Sequence, residues 1–126
     1  MKKIKLILII ISTLLLANFA KADLNISLKE YLNGKDLEKG STQIYLLKRC
    51  SAVYAYASGI ILKSDAISSK NFIDISNNLL FKAVELMIID KNQKLEQAQQ
   101  DAEKNRKELF NNYIIDGKKN WEKNKS

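Results

Sequence analysis

STQIYLLKRCSAVYAYASGIILK, residues 41–63, is the stretch on which the fold turns. Its apolar residues Leu46, Leu47, Cys50, Val53, Tyr54, Ala57, Ile60 and Ile61 recur at the i, i+3, i+4, i+7 spacing that gathers them on one face of an α-helix. Ser41 is placed to cap that helix, which is expected to run to about Lys63 with the stripe facing a core. Ser51, Ala55, Ser58 and Gly59 fall on a neighbouring face, where small side chains let another helix come close. A glycine inside a helix costs about 1 kcal/mol relative to alanine. Close packing or local distortion of the helix are the two candidate reasons for Gly59. From Cys50 to Leu62 there is no charge over 13 residues, but Lys48 and Arg49 cut the run. Thirteen helical residues reach about 20 Å, short of the ~30 Å of a bilayer core, so the segment reads as a buried helix.

Downstream, Ser64 to Asn71 is short and polar and suits a connection between helices. Asn71 with Asp74 signals a new helix start, and Phe72, Ile75, Leu79, Ala83, Leu86 and Met87 form its apolar face, widened by Leu80, Phe81, Val84 and Ile88. Beyond Asp90 the composition shifts to KNQKLEQAQQDAEKNRKE, good helix formers with little to bury. Phe81, Ile88, Leu95, Ala102 and Leu109 recur every seven residues. This predicts either one helix from Phe72 to Asp116 or a kink near Lys91 to Gln93. Gly117 is the expected stop, and residues 117–126 are expected to form a polar tail.

Upstream, Ser27-Leu28-Lys29-Glu30 matches a capping box and predicts a short helix from Leu28 to Leu32, ended by Asn33-Gly34. The first 22 residues read as an export segment. Lys2, Lys3 and Lys5 precede an apolar run of 12 residues, Leu6 to Ala17, and Ala20-Lys21-Ala22 offers the small-residue site for cleavage after Ala22. An uncleaved anchor is the alternative. The segment holds four lysines and no acid, so its removal takes the chain from 126 to 104 residues and the net charge from +7 to +3. Little basicity is left for nucleic acid, and none is expected as a partner. The expectation is therefore an all-α protein, a small helical hairpin or three-helix bundle with a long charged C-terminal helix. Residues 1–22 are its cleaved signal peptide, 23–116 a single helical domain, and 117–126 the tail.

Chemistry is scarce. The chain has no His and one Cys, which removes imidazole catalysis, imidazole metal ligation, a thiolate cage and an internal disulfide. Cys50 is a candidate for an intermolecular disulfide, since an odd Cys in an exported chain can seek an external partner, or for a buried thiol, which its place in the apolar stripe favours. Tyr45, Tyr54 and Tyr56 fit helix boundaries better than a stacking surface for nucleic acid or sugar. The acids Asp101, Glu103 and Glu108 alternate with Lys104, Arg106 and Lys107 as on a solvated helix, with no pocket to separate two pKa values. No catalytic, cofactor or metal site is expected.

These readings point to an exported, non-enzymatic interaction protein of the cell envelope, periplasmic in a Gram-negative cell and secreted otherwise. Its partner would be another protein or a second copy, and it would meet the membrane only through an uncleaved export segment. Leu95, Ala102, Leu109, Phe110 and Tyr113 are the candidate interaction surface. The alternative is a self-associating structural protein, paired along the Leu95–Ala102–Leu109 seam or through Cys50.

Overall fold

The structure, a computed structural model, describes residues 26–124. The predicted signal peptide lies outside the described residues. Among these residues the secondary structure is helical, with four helices and no strand. The described residues divide between two units, 26–35 and 36–124.

In the first unit, α1 (Leu28–Leu32) starts as its capping box predicts: Ser27 Oγ accepts the Glu30 N–H at 3.1 Å. Asn33 ends it, and Gly34 then takes φ +73°, a conformation that suits a residue without a Cβ. The Lys35 ammonium lies 5.2 Å from the centre of the Tyr31 ring.

The second unit consists of α2 (Gly40–Ile61), α3 (Ala66–Lys91) and α4 (Leu95–Lys123). The cap of α2 is Lys39, which makes no side-chain capping bond, so Ser41 does not serve as the cap. The turn 62–65 is shorter than the predicted connection. Asp65 supplies the reason: its carboxylate accepts the Ser68 N–H at 2.9 Å and the Ser68 hydroxyl at 2.6 Å, a cap six residues ahead of Asn71. Those bonds, the hydroxyl's first, hold the Asp65 carboxyl below its usual range. At its far end α3 stops at Lys91, and Asn92 turns left-handed with φ 50°. Asn tolerates that conformation better than most residues. The chain then reverses and α4 packs back on α2 and α3, so 72–116 is neither one helix nor a kinked one. The sevenfold thread is broken accordingly: Phe81 and Leu95 are exposed, whereas Ala102 and Leu109 are buried.

Residues 117–123 are helical, which corrects both the stop at Gly117 and the start of the tail. Gly117 has a packing role instead. A Cβ there would collide with the Tyr56 hydroxyl, so the glycine admits that ring against α4. Gly59 is different: a Cβ there would meet open space, and close packing does not account for it.

The most extensive interface joins α2 and α3. Ser51 and Ser76 are buried opposite each other, each hydroxyl donating to the other's backbone carbonyl, at 2.7 and 2.6 Å. One heptad nearer the turn, Ser58 and Ser69 repeat the exchange at 2.8 and 2.9 Å. Buried hydroxyls need such partners, and their small volume lets two backbones approach. The larger apolar core lies toward the opposite end, where Ile44, Leu80, Val84 and Met87 meet Ala98 and Ala102 of α4.

Candidate functional site

At 100° per residue, the contacts of α2 divide its circumference into three sectors. One meets α3 through Ile44, Ser51 and Ser58. A second meets α4. There the Lys48 ammonium donates to Asn105 Oδ1 at 2.7 Å, and the Arg49 guanidinium donates to the Tyr113 and Tyr45 hydroxyls at 3.2 and 2.8 Å. Tyr56 packs edge-on to Phe110, with ring centres 6.3 Å apart.

The third sector points away from both neighbours, and it carries the stripe that the sequence pattern assigned to the core. Leu46, Leu47, Cys50, Tyr54, Ala57 and Ile61 are half-buried, while Val53 and Ile60 are 45% and 63% exposed. The residues of α2 that are buried are instead Thr42, Ile44, Ser51, Ala52 and Ser58. Because α3 presents serines at the same sevenfold spacing, the small face of α2 makes the close contact and the large apolar face is turned outward. Phe72 of α3 borders the stripe, edge-on to Tyr54 with ring centres 5.6 Å apart. At 100° per residue Ile75 and Leu79 fall on the same side of α3 as Phe72, the first 38% exposed and the second half-buried.

Cys50 is a free thiol, half-buried within this outward stripe, so it is neither a core residue nor fully exposed. The five residues expected to form an interaction surface are dispersed. Ala102 and Leu109 are inside the bundle, Phe110 and Tyr113 are half-buried against Tyr56 and Arg49, and Leu95 is exposed at the start of α4.

A shallow groove of about 430 Å³ between α3 and α4 is lined by Asn77, Leu80, Phe81, Val84, Gln99 and Glu103. Its carboxylate, Glu103, is held by Arg106 through contacts of 2.9 and 3.1 Å, and Arg106 also donates to Asn77 Oδ1 and Ser76 Oγ. Among the described residues no three His, Cys, Asp or Glu side chains come together to hold a metal ion, and no helix is long and apolar enough to cross a membrane.

Burial lowers the pKa of Lys48, with the nearby Lys91 charge adding to that effect and Asp101 opposing it. The folded pKa thus lies below the unfolded value, and in the interval between them the unfolded chain binds more protons. Stability must rise with pH across that interval. Lys48→Met lacks this contribution. The wild-type stability measured relative to that variant is expected to climb as pH approaches 10.5. A difference that stays flat from pH 8 to 10.5 in urea titrations would show that the ammonium is not desolvated.

No family model, curated protein or solved structure matches the chain.

Proposed function

We propose that this protein is a non-enzymatic binding protein of the cell envelope, and that its working surface is the outward stripe of α2. The observation that carries the reading is the eight-residue apolar stripe, which α3 and α4 cover only in part: six of its residues are half-buried, and Val53 and Ile60 are exposed. A contiguous apolar stripe gains from being covered, and this helix has neighbours on only two of its three sectors. Such a strip accepts an amphipathic helix laid along it, with side chains at i, i+3, i+4 and i+7 as anchors. Placement in the envelope rests on the export reading of residues 1–22, periplasmic in a Gram-negative cell and secreted otherwise; retention of that segment would tether the protein to the membrane.

Site-specific photocrosslinking in intact cells tests the reading. A benzophenone side chain at Ile60, in the stripe, is expected to give a discrete adduct, whereas the same group at Lys104, on the charged surface of α4, gives none. Absence of any adduct from Ile60, or equal labelling from both positions, overturns it.

A further inference from the structure

We infer that the occupant of the outward α2 stripe is a second copy of this chain, docked antiparallel to form a twofold dimer. The inference rests on the binding reading above and names its partner.

The stripe has the same form in both directions. Its positions 46, 47, 50, 53, 54, 57, 60 and 61 are spaced symmetrically about the midpoint between Val53 and Tyr54. Side-chain size follows the same symmetry: a large pair, the small Cys50, the central pair, the small Ala57, and a large pair. In a twofold dimer each patch faces an identical patch. An antiparallel α2 pair centred here sets Val53 against Tyr54 of the second copy, so that the two Val53 side chains flank the axis. Leu46 then meets Ile61 of the second copy, Leu47 meets Ile60, and Cys50 meets Ala57. Small thus faces small at two equivalent points, which lets the backbones approach, and the large residues fill the space between.

The electrostatics agree. No charged side chain lies between Cys50 and Leu62, so the pairing brings no like charges together at its centre. Lys48 and Arg49, near one end, are already turned toward Asn105 and Tyr113. The area is small. Sixteen residues span about 24 Å, and two adjacent helices with their side chains are roughly 20 Å across. That is at most about 500 Å² per copy, near 1,000 Å² in total, below the roughly 1,200–2,000 Å² of stable interfaces and in the range of weak pairing. The dimer is therefore expected to dissociate in the micromolar range.

The same register separates the native thiols. Cys50 lies three and a half residues from the twofold axis, so the two Cys50 Cα atoms stand roughly 10 Å apart along the helices. A disulfide needs Cα atoms within about 7 Å. The Cys50-linked dimer is thus a different arrangement from this one.

The test uses the chain purified in the form the cell accumulates. Sedimentation velocity between 1 and 100 µM is expected to show a monomer–dimer equilibrium, unchanged by reductant. Val53→Lys places two ammonium groups beside the axis and is expected to weaken association at least tenfold, with helix content unchanged by circular dichroism. The Cys50→Ala, Val53→Cys double variant, oxidised with diamide, is expected to yield a covalent dimer, while the wild-type chain yields little. A monomer at 100 µM with no crosslink through position 53 overturns the inference. So does a dimer indifferent to Val53→Lys, or wild-type crosslinking as rapid as that of the double variant. If the Ile60 photoadduct contains a different protein and the purified chain stays monomeric, the binding reading stands and the second copy is excluded. No adduct at all removes both.

Discussion

Ser76→Leu is expected to lose about 3–5 kcal/mol of stability, a large share of the roughly 5–15 kcal/mol that holds a domain of this size folded. Ser76 is fully buried, and the Ser51 hydroxyl lies 3.1 Å from its own across the α2–α3 interface. Leucine has nowhere to go there without pushing the helices apart, and overpacking of this kind costs about 1–3 kcal/mol. The substitution also deletes the bond to the Ser51 carbonyl, which keeps its helical partner, and removes an acceptor from Arg106. Each lost bond adds about 0.5–1.5 kcal/mol. Ser76→Ala isolates the second contribution and is expected to lose only about 1–2 kcal/mol. Urea midpoints at constant m-value compare the two. A leucine variant as stable as the alanine variant would mean that the helices are not in close contact at this level.

Leu109→Ala is expected to cost about 2–5 kcal/mol, through lost burial and the cavity left behind. The buried residues of α4 are Ala98, Ala102 and Leu109, so Leu109 is the large apolar anchor of a helix that is otherwise mostly charged. Its removal leaves α4 held by Lys48–Asn105, the Arg49–Tyr113 bond, the Arg106 contacts and the Tyr56 ring cluster. Amide hydrogen exchange reads α4 separately from α2 and α3. In the variant, the α4 amides are expected to lose protection at lower urea than those of α2 and α3. Coincident transitions, both shifted by less than 1 kcal/mol, would show that Leu109 does not anchor α4.

Local signals in the sequence are legible where the chain answers to its immediate neighbours. Ser27 and Glu30 mark α1, and the change of composition after Asp90 lies beside the Asn92 reversal. The start of α3 is legible too, but in Asp65 and Ser68 rather than in Asn71, because the polar run 64–71 contains the stronger cap at its beginning. The orientation of α2 was harder. Hydrophobic periodicity identifies a stripe that gains from being covered, but it does not name the cover. That Ser51 and Ser58 would face inward becomes apparent only when Ser69 and Ser76 are set against them, equally far from the turn on the other strand of the hairpin. Gly117 is a similar case, since its helical state is explained by Tyr56, sixty-one positions earlier. The dispersed fate of Leu95, Ala102 and Leu109 follows from the reversal at Asn92, which turns a continuous seam into the inner edge of a third helix.

The paired serines also settle how α2 and α3 align. Apolar side chains tolerate sliding, since one methyl group is a fair substitute for another, but a hydroxyl aimed at one carbonyl has no such latitude. A slip of α3 by a single residue rotates its side chains by about 100° and leaves four buried hydroxyls without acceptors, at about 1–3 kcal/mol each. A slip by a whole heptad recovers one pair at most and draws the four-residue turn out of shape. The two serine pairs therefore act as a vernier, admitting one alignment of a hairpin whose greasier residues would accept several.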